Sequence, residues 1–139
     1  RAGGKTGGWI SHIYVDDETS VKGGRTIWGL PKELATFTWE SLPERGANST
    51  AVTVSQNGRT LLDFWAAPRW FGVPTAFDLP VISRVDGKFA PWHASLSCRT
   101  RMTSTHLEIA PDAPFADLKP QSLLGIHGEN LKMRVSSPS

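Results

Sequence analysis

Thr50-Ala51-Val52-Thr53-Val54-Ser55-Gln56-Asn57-Gly58-Arg59-Thr60-Leu61-Leu62-Asp63-Phe64-Trp65 is the stretch on which the fold turns. Two runs rich in β-branched and apolar residues flank Asn57-Gly58. That dipeptide suits a two-residue type I′ turn, because both central positions need positive φ. A hairpin of residues 50–56 and 59–65 follows. Upstream, Ala35, Phe37 and Trp39 alternate with Thr36, Thr38 and Glu40, the period of a half-buried strand. Downstream, Asp86-Gly87 predicts a second hairpin between residues 81–85 and 88–90. Residues 94–109 read as a long strand, with Leu96, Cys98, Thr100 and Met102 facing inward. A last strand spans 130–136, where Leu131, Met133 and Val135 alternate with Lys132, Arg134 and Ser136. Residues 9–15 read as a further strand, Asp16-Asp17-Glu18 as a turn or an exposed connection, the Pro-rich 66–80 as a packed loop or a short helix, and the Pro-rich 111–120 as a break in the chain. Pro31 suits the first position of a helix, so a short helical turn is expected over 31–35. The fold class is mainly β (α+β): an antiparallel curved sheet or partly open β-barrel, forming one domain over residues 1–139.

Gly and Pro supply 23 of 139 residues, 13 and 10 respectively, which leaves little room for long helices. Basic side chains number 15 and acidic ones 13, a net charge of +2. The split is even: eight basic and seven acidic residues up to position 70, seven and six after it. Nucleic acid is therefore not the expected partner, since phosphate neutralisation needs many cations on one face. Apolar residues make up 39%, with six Trp and six Phe, enough for a packed core. No apolar run approaches the roughly 18–20 residues of a membrane span. Cys98 is the single cysteine, so no internal disulfide forms and a disulfide-stapled secreted module is excluded. An intracellular or organellar setting is expected. The chain begins Arg1-Ala2-Gly3, from which loss of an N-terminal segment is expected.

Several apparent signals carry no chemistry. Gly4-Lys5-Thr6 looks like the end of a phosphate-binding loop, but the motif's first Gly would lie before the chain start, and Gly7-Gly8 follow where a helix should begin. His12, His93, His106 and His127 share no metal-ligand spacing, so no metal site and no cofactor is expected. Cys98, inward on a strand, reads as a small core residue. Trp9, Trp28, Trp39, Trp65, Trp70 and Trp92 read first as core and second as the lining of a ligand cavity. Arg99 and Arg101 share a strand face, either solvated or turned to an anionic group or partner subunit.

The richest segment is Gly23-Gly24-Arg25-Thr26-Ile27-Trp28-Gly29-Leu30-Pro31-Lys32-Glu33-Leu34-Ala35. With Tyr14-Val15-Asp16 before it, it resembles the acetoacetate decarboxylase superfamily, whose members carry a Gly-Arg-Glu group and then a Gly-aromatic/Leu-Pro-Lys-Lys-Leu-Ala stretch in the same order and spacing. The resemblance implies that the first Lys after Pro, here Lys32, forms a Schiff base with a β-keto acid and that the iminium takes up the electron pair released with CO2. Such an amine must be neutral near pH 7, although a free Lys titrates at about 10.4. A nucleophilic Lys of this family is a standing example of activation by desolvation or by a neighbouring cation. By the same resemblance Arg25, Trp28 and Glu33 are the expected substrate contacts.

The departures are specific. The family's second Lys is Glu33, an anion that favours the charged amine. Its Glu after Gly-Arg is Thr26, and the earlier region that holds its other acidic and basic residues hardly exists in this chain. Gly29-Leu30-Pro31 through Ala35 and Phe37, with the terminal Leu131-Lys132-Met133-Arg134-Val135, is also similar to the acetoacetate-decarboxylase-like proteins of plants and algae needed for neoxanthin formation, a branch without the Lys pair. A degenerate domain is therefore expected: a ligand-binding or accessory protein, in a plastid, related to photosynthesis or carotenoids. It would take a small apolar or keto-acid ligand and work as an oligomer or as a subunit of a larger complex that covers an open sheet edge. The alternative is a β-keto-acid decarboxylase (a carboxy-lyase) using Lys32.

Overall fold

A computed structural model describes residues 6–69, 71–118 and 125–138. Gly4-Lys5, Trp70 and Lys119-Pro120 lie outside the described residues. The described chain forms two compact units, one from residues up to 34 with 75–98 and 131 onward, the other from 35–74 and 99–130. The fold is mainly β with antiparallel pairing, as the alternation and the two turns predict.

In the first unit, β1 (Ile13–Val15) and β2 (Lys32–Leu34) pair in parallel, Ile13 beside Lys32, Tyr14 beside Glu33 and Val15 beside Leu34. Parallel neighbours need a crossover. Here it is the helix α1 (Glu18–Trp28). The expected helical turn at Pro31 is thus corrected: the helix lies upstream, and Lys32–Leu34 is strand. The Asp16-Asp17-Glu18 turn is corrected as well, because Asp17 is the helix N-cap. Its carboxylate accepts from the Thr19 and Ser20 N–H groups at 3.2 and 2.8 Å. Gly29 ends the helix in the left-handed region, φ 59°, where its N–H donates to the Arg25 carbonyl. Two caps hold a helix through the poor helix formers Gly23 and Gly24. The expected strand over 9–15 shortens to Ile13–Val15, while Gly8 makes an isolated parallel bridge to Val81.

The same unit contains the hairpin around Asp86-Gly87, with φ of 48° and 77° as a type I′ turn requires. Its strands are longer than the sequence suggests: β6 is Val73–Val85 and β7 is Lys88–Ile109, both contributing to the two units. Most of the expected 66–80 loop is therefore strand. Proline is tolerated in strands that lie at an edge. The core gathers Leu30, Val81, Trp92 and Ala94, with Ile10, Trp28 and Leu96 packed against them.

The second unit holds β3 (Thr36–Ser41), a 3-10 turn (Pro43–Arg45), β4 (Thr50–Gln56) and β5 (Arg59–Pro68). Asn57 and Gly58 have φ of 52° and 76°, so the predicted turn is present. β3 pairs β4, β4 pairs β5, and β5 pairs β7. Val52, Val54, Leu61, Ala66 and Ala67 are buried. β8 (Gly125–Val135) pairs β7 and starts five residues before the expected strand.

Some inward assignments fail. On β7, Ala90, Trp92 and Ala94 are buried, but the alternation reverses further on, so Thr103 is buried and Met102 is 41% exposed. Trp9 and Trp39 are 60% and 67% exposed and belong to no core. Leu131, Met133 and Val135, which alternate with polar residues on the last strand, are exposed. No helix among the described residues is long and apolar enough to cross a membrane.

Candidate functional site around Lys32

Lys32 opens β2, and three hydrogen bonds fix it. Its N–H donates to the Leu30 carbonyl at 2.8 Å. Its own carbonyl accepts from Arg25 Nε at 2.7 Å. Its ammonium Nζ donates to Ser20 Oγ at 2.7 Å. Both Ser20 and Arg25 stand on α1, so helix and strand are clamped through this one residue.

The aliphatic stem of Lys32 lies against Gly24. A Cβ there would sit 2.5 Å from Lys32 Cδ and 2.7 Å from Cε, so a side chain at this position would push the flexible end of Lys32 aside. Ser20 and Gly24 are four residues apart, hence on one helix face. That spacing is the only sequence signal for the Lys32 cradle, and neither residue stands out without the structure.

Glu33 follows Lys32 on a strand, where successive side chains point to opposite faces. Its charge is therefore directed to the other side, next to Tyr14. Burial, and then the Glu33 charge, raise the Tyr14 hydroxyl above its ordinary value near 10.0.

The other expected contacts are placed as follows. Arg25 spends its Nε on the Lys32 carbonyl. Trp28 packs on the core and donates its indole N–H to the Ser136 carbonyl at 3.0 Å. A shallow groove of about 330 Å³ beside α1 is lined by Val21, Lys22, Arg25 and Leu34, among others. A larger cavity of about 520 Å³ is lined by residues of β6 and β7 with Ser136 and Ser137. Lys32 lines neither.

The four histidines stay apart in role. His12 meets Ser11, His93 lines the larger cavity, and His106 stacks on Trp65 with ring centroids 6.2 Å apart. His127 lies on β8. Among the described residues, no three or more His, Cys, Asp or Glu side chains gather as a metal site. Arg99 donates to the Gly72 carbonyl at 3.1 Å, and Arg101 pairs with Glu129 at 3.1 Å.

Comparison with known proteins adds the family. The model of the acetoacetate decarboxylase (ADC) family matches residues 1–84. Among curated relatives, acetoacetate decarboxylase 1 of Bradyrhizobium diazoefficiens is 49% identical over 35 residues, 25% of this chain and 14% of the relative. Acetoacetate decarboxylase 3 of Mesorhizobium japonicum is 47% identical over 32 residues, 23% and 12% of the two chains. The acetoacetate decarboxylase of Burkholderia vietnamiensis is 46% identical over 35 residues, again 25% and 14%. These matches span about one seventh of the relatives' length. No solved structure matches the chain. With more than half of its residues under the family model, the chain belongs to the acetoacetate decarboxylase family.

Proposed function

We propose that this domain uses the family's fold to bind a ligand or support a partner chain, and does not decarboxylate a keto acid by itself. The observation that carries this reading is the Lys32 amine. It is engaged by Ser20 Oγ, and its stem is pressed on Gly24. A Schiff-base nucleophile has to meet a carbonyl carbon in a pocket that admits the acid. Here Lys32 works as a pin between α1 and β2. An accessory role draws support from large apolar side chains left exposed, such as Trp39, Phe71 and Ile126 at 67%, 79% and 70%. The finer placement in the plant and algal branch, and so in a plastid, rests on Gly29-Leu30-Pro31, Ala35, Phe37 and the terminal strand.

A second reading keeps Lys32 as the nucleophile of a β-keto-acid decarboxylase. It is favoured by the partner of the amine, which is a neutral hydroxyl, and by the strand geometry that directs Glu33 to the opposite face. The two readings separate in one assay. With acetoacetate, CO2 release by the full chain is expected to equal that of Lys32→Ala and of buffer. Release that Lys32→Ala abolishes would establish the second reading and end the first.

A further inference from the structure

The cavity of about 520 Å³ falls within the range of small-molecule sites, roughly 300–1,000 Å³. Its walls are set by the backbone. Pro80 and Pro91 have no N–H, so strand pairing cannot run through them in the ordinary way. The chain entering at Gly8 takes up one side: Gly8 N–H donates to the Pro80 carbonyl at 2.8 Å, and Ile82 N–H donates to the Gly8 carbonyl at 2.9 Å. Gly7 packs closely there, since a Cβ would lie 3.0 Å from Ile82 Cγ1 and from the Pro80 oxygen. On the other side, Ser136 N–H donates to the His93 carbonyl at 2.9 Å, and His93 N–H donates to Ser136 Oγ at 2.9 Å. Trp28 fixes Ser136 again through its carbonyl.

The lining divides by chemistry. Pro80, Ile82 and Trp92 offer apolar surface, and the Trp92 indole N–H is already spent on Ser83 Oγ at 3.2 Å. His93, Ser136 and Ser137 supply polar groups. Ser136 Oγ accepts the His93 N–H, which leaves its own proton to donate. Among the described residues, no Asp or Glu lines the cavity. Donors without a competing carboxylate suit a ligand head that only accepts hydrogen bonds.

We propose that this cavity binds a small amphiphilic monocarboxylate, with the hydrocarbon chain against Pro80, Ile82 and Trp92 and the carboxylate accepting from His93 and the serine hydroxyls. This rests on the reading of the domain as a binding module. It adds a site separate from Lys32 and a ligand class.

Calorimetric titration of hexanoate into the full chain tests it, with hexylamine as the cationic control. Saturable binding of hexanoate and none of hexylamine is expected. His93→Ala and Ile82→Phe should each weaken hexanoate by about tenfold or more. The His93 side chain is exposed, so its removal leaves the fold intact and decides the matter even where the tighter Ile82→Phe fails to fold. Absence of saturable binding, equal binding of hexylamine, or hexanoate affinity unchanged in His93→Ala overturns the proposal. Acetoacetate turnover by the same preparation is a separate readout. Lys32-dependent CO2 release removes the non-decarboxylating reading and leaves a hexanoate site standing, whereas a silent hexanoate titration without CO2 release removes the cavity proposal alone.

Discussion

Alanine in place of Trp92 is expected to lower the folding free energy by about 3–5 kcal/mol. Trp92 is 6% exposed and sits at the centre of the first unit's core with Leu30, Val81 and Ala94. Its removal deletes a large apolar surface and leaves a cavity that the hairpin backbone cannot close, because Pro80 and Pro91 stiffen both strands beside it. It also removes the indole N–H that the buried Ser83 hydroxyl accepts, leaving that hydroxyl only its donation to the Ala90 carbonyl. Urea unfolding of the variant against the parent chain measures the loss. Trp9→Ala is the control: that side chain is 60% exposed, and its loss should stay within about 0.5 kcal/mol. Equal effects at the two positions would show that the core lies elsewhere.

Gly29→Ala is expected to cost about 2–5 kcal/mol, from two sources that add at one atom. At φ 59° an L-residue pays the left-handed penalty of roughly 1–2 kcal/mol. The new methyl would also run into the carbonyl oxygen of Arg84, a backbone group on β6 that cannot rotate away. Relief requires α1 to separate from β6, and with it the turn that delivers Leu30 to the core and Lys32 to β2. Urea unfolding should therefore show a shifted midpoint, and far-ultraviolet circular dichroism reduced helix signal at equal temperature. A variant as stable as the parent would mean that Gly29 is not the fixed corner of this unit.

The hairpins were legible in the sequence because their determinants are local. Asn57-Gly58 and Asp86-Gly87 need only their own positive φ values, and all four residues have them. The helix was hidden because its interior carries Gly23 and Gly24, which propensity disfavours. What rescues it is partly local, the Asp17 cap, and partly distant, the Lys32 stem that packs on Gly24. β2 was misread for a similar reason: Pro31 suits a helix start, but the parallel partner Ile13–Val15 lies far back in the chain. Period-two patterns located the strands and misjudged faces. Leu131, Met133 and Val135 alternate correctly and are exposed, since alternation says which residues share a face and not what covers it.

For the site, resemblance picked out Lys32 and Arg25, and the structure joins them through a backbone carbonyl. Ser20 carried no signal of its own, because a serine inside an acidic-capped helix is ordinary. His93 and Ser136 are 43 residues apart and meet only through the ladder between them.

On the proposed reading the Lys32 amine is a structural pin, held by Ser20. Borohydride reduction of the full chain in the presence of acetoacetate, followed by peptide mass spectrometry, addresses it at the atom concerned. Labelling of Lys32 is expected to stay at or below that of a free-amine control peptide at the same acetoacetate concentration. A reduced adduct confined to Lys32, and lost in Lys32→Ala, would contradict it.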